Sequence, residues 1–153
     1  VVANMARNPQ GGDTDQIRAI AAGECSIAIV NHYYWVRLGA SDSEADQNVA
    51  ASTSFLFPEF VEGSGSHVNI TGAAITTSAD DLALAEEFLI FLLTETGQSY
   101  LTRDTKEMPL IDGAPLPDRV DALPDFTPSD TALDVYGENQ AEAQHLFDLA
   151  GWH

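Results

Sequence analysis

Positive charge is scarce in this sequence. One lysine and five arginines stand against 24 acidic residues, which leaves a formal net charge of −18 over 153 residues. Proteins that bind DNA or RNA need clustered lysine and arginine side chains to neutralise the phosphates. The composition therefore argues against nucleic acid as a partner, and it is typical of a soluble protein whose exposed carboxylates are screened by salt.

Long apolar runs and cysteine pairs are missing as well. The longest apolar run, Leu82–Leu93, is too short to span a membrane and carries two glutamates, so we expect no membrane insertion. The sequence shows no secretory signal peptide and does not begin with Met, so we expect a processed product or a piece of a longer protein. Cys25 is the only cysteine and cannot form a disulfide within the chain.

The motifs of common enzyme classes are also absent. GSGSH, residues 63–67, lacks the glycine spacing of a nucleophile elbow, and neither a dinucleotide-binding loop nor a Walker sequence occurs. The four histidines do not have the spacing of zinc ligands. The sequence therefore predicts that the protein is not an enzyme.

Capping residues and apolar periodicity predict four helices. Gln16 and Glu142 stand three residues after the first and last predicted N-caps, as in a capping box. The predicted helices run from the N-cap Asp13 to Gly23, from the N-cap Asn31 towards Leu38, from about Ala79 to Glu95 with Gly97 as the stop, and from the N-cap Asn139 to Gly151.

Three short runs rich in branched apolar residues are predicted as strands, at Ser26–Val30, Thr53–Phe57 and His67–Thr76. Gly72 inside the third run is expected to mark a bulge or a bend where the strand crosses between two bodies. Residues 108–128 contain five prolines and are predicted to form an extended connector. Helices alternating with strands in this order indicate an α/β fold.

Tyr33 and Tyr34 are the residues that the sequence offers for binding chemistry, in the first turn of the predicted helix after Asn31. They are open to interpretation as packing residues with solvated hydroxyls. Packing is the commoner role of such a pair, and the alternative is that they are phenolate ligands of a trivalent cation such as Fe(III). A phenol with a pKa near 10 loses its proton at neutral pH only beside a strong positive charge. The same helix N-terminus would favour a small anion next to the metal.

The wider sequence resembles the periplasmic ferric-iron-binding proteins of bacterial ABC importers. The motifs QGGDTDQI, AAGECSIAI, NHYY and HVNITGA, and AGW near the end, follow one another as in that family and at similar distances. The resemblance covers nearly the whole chain. It extends only to the C-terminal part of such proteins, which are longer and have the two-lobe type II periplasmic binding protein fold.

This resemblance implies that Tyr33 and Tyr34 are ligands of Fe(III). It implies that Asn31 helps to hold a small synergistic anion or orients the loop, and Asp13 is a further candidate for that supporting role. It also implies capture of Fe(III) in the periplasm and delivery to an inner-membrane ABC permease, with the remaining ligands supplied upstream. The alternative is a binding protein of the same fold for another metal or a small organic anion.

The resemblance implies a division of the chain between the two lobes. Residues 1–66 would form part of the second lobe with the tyrosine pair, and residues 67–118 a hinge strand and a segment of the first lobe. Residues 119–153 would return to the second lobe with the last helix. Apolar faces left without their partners would favour self-association of the isolated chain.

Overall fold

The computed structural model describes residues 2–8 and 10–152. The ends of the predicted segments 1–66 and 119–153, Val1 and His153, lie outside the described residues, as does Pro9. Extended segments separate most of the helices in this part of the chain, and none of these helices is long and apolar enough to cross a membrane. The helices are α1 (Asp13–Ala21), α2 (His32–Gly39), α3 (Glu44–Ala51), α4 (Leu82–Leu92), α5 (Glu95–Thr105), α6 (Leu133–Glu138) and α7 (Gln140–Ala150).

The first three helices enclose a small apolar core. Ile17 of α1, Leu38 of α2 and Ala50 of α3 are buried against one another. Tyr34 and Trp35 are half-buried and pack against this core. The first turn of α2 is therefore anchored by the core of the molecule.

Helices α4 and α5 form a tight hairpin that depends on Gly97. The Thr94 hydroxyl accepts a hydrogen bond from the Gly97 amide at 3.1 Å and donates one to the Phe91 carbonyl at 2.7 Å. A Cβ atom at Gly97 would lie 2.7 Å from Cα of Leu92, closer than real Cβ contacts come. The prediction that Gly97 stops a helix is wrong, because Thr94 caps a new helix that contains this glycine.

The predicted long helix begins later and ends earlier than Ala79–Glu95. It starts at Leu82, since the carboxylate of Asp81 accepts a hydrogen bond from the Leu84 amide at 3.0 Å. Helix α1 also begins one residue earlier than its predicted cap implies. Gly12 is the N-cap, and the Asp15 carboxylate accepts from the Gly12 amide at 3.0 Å. Asp13 is thus the first helical residue and not the N-cap.

The predicted capping box of the last helix is not formed. Asn139 is the N-cap of α7, as predicted. It is also the C-cap of α6, with φ −92° and ψ 0°. That backbone conformation differs from the extended one in which N-cap side chains accept hydrogen bonds. The side-chain amide of Asn139 donates instead to the Val135 carbonyl at 2.8 Å, and the Glu142 side chain makes no capping hydrogen bond. The predicted C-terminal glycine is confirmed, because Gly151 has φ 76°.

None of the three predicted strands forms among the described residues, which hold only an isolated parallel bridge between Ser66 and Pro128. A strand forms only through backbone hydrogen bonds to a neighbouring strand. Within the described chain, the segments 26–30, 53–57 and 67–76 have no neighbouring strand. Their apolar side chains are consequently uncovered, and Ile27 and Ile29 are 85% and 81% exposed. The connector at 108–128 contains no α-helix or strand, as predicted, but turns at 112–113 and 118–119 and a 3-10 turn at Val120–Ala122 bend it.

Candidate metal site

The tyrosine pair lies in the first turn of α2, as predicted. Asn31 is the N-cap, with an extended backbone conformation (φ −73°, ψ 140°), and its carbonyl accepts from the Tyr34 amide at 3.3 Å. The ring centroids of Tyr33 and Tyr34 are 4.5 Å apart, with 36° between the ring planes. The helix start thus places two phenols side by side.

A guanidinium group covers both rings. The Cζ atom of Arg37 is 5.0 Å from the ring centroid of Tyr33 and 5.5 Å from that of Tyr34, within the range of cation–π interaction. The Nε atom of Arg37 donates to the Thr105 carbonyl, at the end of α5, at 3.0 Å. Arg37 therefore fixes the two rings relative to each other and connects them to α5.

The electrostatic surroundings keep the phenol of Tyr33 protonated in the absence of a cation. Desolvation raises the pKa of Tyr33 above its ordinary value of 10.0, and the neighbouring Tyr34 side chain raises it further. The negative charges of Asp13 and Glu107 act in the same direction. The same negative charges that disfavour a phenolate attract a cation. This environment therefore suits a bound cation better than a free anion.

Asn31 and Asp13, the two predicted supporting residues, contact each other. The Asn31 side-chain amide does not cap α2 but donates to the Asp13 carboxylate at 2.8 Å. This bond joins the first turn of α1 to the N-cap of α2. It holds the Asp13 charge close enough to act on Tyr33.

His32 completes the polar surroundings of the pair. Its ring lies 5.7 Å from that of Tyr33 and 6.3 Å from that of Phe57, centroid to centroid. Burial lowers the pKa of His32 below its ordinary 6.5, against the opposing influence of the Glu107 charge and the Lys106 backbone. Its Nε2 atom is buried without a hydrogen-bond partner in the described structure. His32 is accordingly neutral at physiological pH.

Other residue types offer no rival metal site within residues 2–8 and 10–152. No three histidine, cysteine, aspartate or glutamate side chains there are close enough to hold a metal ion. Cys25 is a free, half-buried thiol.

Comparison with known proteins relates this chain to iron uptake proteins. No protein-family model matches the chain. The chain is 36% identical to iron uptake protein A1 of Synechocystis over 151 residues. It is 37% identical to iron uptake protein A2 of the same organism over 153 residues. These alignments cover 99% of the chain in both cases, and 42% and 44% of the two relatives. The chain is homologous to iron uptake and ferric-iron-binding proteins.

Solved structures confirm the homology in three dimensions. The chain superposes with a TM-score of 0.91 and 36% identity on the Trichodesmium protein IdiA (FutA), in complex with iron and citrate. It superposes with a TM-score of 0.90 and 33% identity on the ferric binding protein of Campylobacter jejuni. Each superposition covers 98% of this chain and 47% of the other.

The homology confirms the predicted fold class, α/β and part of the type II periplasmic binding protein fold, although the described residues form no strand. The chain spans a little under half the length of the curated relatives that it matches. That share agrees with a resemblance to the C-terminal half alone. The relatives named above are two iron uptake proteins, a ferric binding protein and a protein in complex with iron and citrate.

Two residues beside the tyrosine pair were not among the predicted site residues. Arg37 follows Tyr33 by four residues and Tyr34 by three, the spacings at which helical side chains meet, so the sequence held a signal for it. Glu107 is more than 70 positions away along the chain. No local pattern could have placed it beside Tyr33.

Proposed function

We propose that this chain contributes Tyr33 and Tyr34 as phenolate ligands to an Fe(III) site. The protein would capture ferric iron in the periplasm and deliver it to an inner-membrane ABC permease, without a catalytic step. The observation that carries the proposal is the pair of phenols held side by side at the start of α2. The homology to iron uptake proteins supports the choice of metal.

The two phenols are suited to Fe(III) in particular. A trivalent cation displaces both phenolic protons and replaces them with oxygen–metal bonds, which overcomes the raised pKa of Tyr33. The release of protons makes the affinity depend on pH. Two ligands leave most of the coordination sphere to other groups, so further ligands would come from elsewhere in the full-length protein.

A small anion fits beside the metal only when the metal is present. The first-turn amides of α2 favour an anion, whereas the charges of Asp13 and Glu107 oppose one. Bound Fe(III) reverses the sign of the local potential and would allow Asn31 to act on a synergistic anion. The iron and citrate bound together in the Trichodesmium complex support a site that holds a metal and an anion at once.

Ferric titration of the full-length natural protein tests the proposal. Fe(III) added at neutral pH should produce the visible charge-transfer band of iron phenolates, and acidification should bleach it. Tyr33→Phe and Tyr34→Phe keep the ring and remove only the oxygen, so each should weaken both the band and Fe(III) affinity measured by competition with citrate. The melting temperature of the metal-free protein should change little.

Tyr100→Phe is the matched control, because Tyr100 of α5 is also a helical tyrosine beneath an arginine, with Cζ of Arg103 5.6 Å from its ring centroid. This variant should keep the full band and affinity. Full colour in both the Tyr33 and Tyr34 variants would make the pair packing residues and overturn the proposal.

A further inference from the structure

Glu107 occupies a prepared position just beyond α5. Lys106 ends the helix in a left-handed conformation, with φ 62°, which turns the chain away from the helix axis. The Glu107 amide then donates to the Thr105 hydroxyl at 3.4 Å. The Thr71 hydroxyl donates to Oε1 of Glu107 at 3.0 Å, and the side chain is half-buried. The carboxylate is thus held at one oxygen, and no described group bonds the other.

The same turn is attached to the tyrosine pair. Arg37, whose guanidinium covers both rings, donates to the carbonyl of Thr105, two residues before Glu107. Glu107 is close enough for its charge to act on both Tyr33 and its neighbour His32. The contacts therefore bring the end of α5, the segment at Thr71 and the start of α2 to one place.

The charge balance around a cation at the tyrosine pair indicates a role for the Glu107 carboxylate. Two phenolates and the Arg37 guanidinium leave a single net negative charge opposite a trivalent cation. Arg37 also repels that cation. In a partly desolvated site such an imbalance weakens binding, and a further carboxylate held nearby offsets it. Asp13 is one such group, on the α1 side of the pair, and Glu107 is the other.

We propose that Glu107 is a carboxylate of the tyrosine site, which is held in place by Thr71 and whose negative charge stabilises Fe(III) at the two phenols. This inference rests on the function proposed above. It assigns the site a residue from the segment after α5, so the site combines residues far apart in the sequence.

Replacement of Glu107 by glutamine in the full-length natural protein tests the role, since it removes the charge and preserves the shape. Supporting residues around metal ligands typically contribute 10- to 100-fold to metal affinity. We expect Glu107→Gln to weaken Fe(III) binding by about that factor in citrate competition and to shift the position of the charge-transfer band. Glu87→Gln, on the exposed surface of α4, changes the net charge equally and should leave both unchanged.

The outcomes separate this inference from the proposed function. A wild-type band with unchanged affinity and band position in Glu107→Gln would overturn the role of Glu107 and leave the iron site intact. No band in the wild-type protein would overturn the iron site itself. If the melting temperature of Glu107→Gln is well below that of the wild type, Thr71→Val tests the role of Glu107 instead. This substitution retains the negative charge of Glu107 but removes the hydrogen bond that holds its carboxylate. A several-fold weaker Fe(III) affinity with a shifted band supports the role, and wild-type values overturn it.

Discussion

At the scale of single residues, Arg18 and Asp46 connect the first and third helices. Nη2 of Arg18 lies 2.8 Å from Oδ1 of Asp46, and the Ser41 hydroxyl donates to the other carboxylate oxygen at 3.2 Å. The hydrogen bond from Arg18 lowers the pKa of Asp46 below its ordinary value of 3.8, and Ser41 lowers it further. Both interactions favour the ionised carboxylate over the neutral carboxyl group.

The lowered pKa predicts a contribution to stability that acid removes. Because the folded-state pKa lies below 3.8, the contribution is fully present above that value and is lost as the pH falls through the folded-state pKa. Asp46→Asn should lower the free energy of unfolding at neutral pH and flatten its decline below about pH 4. Urea denaturation over this range measures both effects.

Asp130→Asn serves as the control for the pH experiment, because Asp130 is an exposed residue of an extended segment outside the helices. Its free energy of unfolding should follow that of the wild type across the pH range. An acid dependence in Asp46→Asn as steep as in the wild type would contradict the predicted contribution.

The residues of the candidate site differ in how far the sequence could predict them. Tyr33, Tyr34 and Asn31 were placed correctly, because a helix start is encoded within a few residues. The bond between Asn31 and Asp13 joins two helices and depends on how α1 packs on α2. Glu107 reaches the site only through the fold, so reasoning from local patterns could not include it.

At the scale of elements, two helical glycines predict opposite effects of the same substitution. A Cβ at Gly97 would meet the backbone of α4, which has no flexible atoms to move aside, whereas a Cβ at Gly137 of α6 meets nothing within 4 Å. Gly97→Ala should cost about 1–3 kcal/mol through overpacking. Gly137→Ala should stabilise by up to about 1 kcal/mol, since alanine favours helix.

Chemical denaturation of both variants against the wild type measures the difference. The pair controls for the intrinsic preference of alanine for helix, which is common to both positions. A stabilising effect at Gly97 would show that α4 and α5 do not approach as closely as the structure has them.

The elements that the sequence predicted correctly are all held together locally. Helices α1, α2 and α7 satisfy their own backbone within each segment, so periodicity and end signals located them. Helix α3 was missed although Ser43 caps it and Asp46 stands three residues later, a recognisable start. The three runs predicted as strands have the right composition, but a strand needs a partner that is not encoded in the run itself.

At the scale of the whole molecule, apolar exposure and acidity oppose each other. Large apolar side chains on α4 and on the extended segments are uncovered, for example Ile27 at 85% and Ile90 at 66% exposure. Exposed apolar area of this kind drives association, whereas a net charge of −18 repels a second copy. The balance between these two forces depends on ionic strength.

We expect the isolated chain to be poorly stable as a monomer and to self-associate more strongly as salt is added. A Debye length of about 30 Å at 0.01 M falls to about 3 Å at 1 M, which removes most of the charge repulsion. Sedimentation velocity at these two salt concentrations should show a higher mean mass at 1 M. A compact monomer with a cooperative melt at both concentrations would contradict the prediction.

The hydrogen bond from the Trp35 indole to Thr53, 3.0 Å long, gives the site an optical property. Trp35 directly follows the two phenols and is held half-buried against the core, while the only other tryptophan, Trp152, lies close to the opposite end of the chain. A fixed indole beside the phenols emits from a constant environment until a neighbour changes. Ferric iron at the phenols would quench that emission, so the protein's own fluorescence would record occupancy without an added dye.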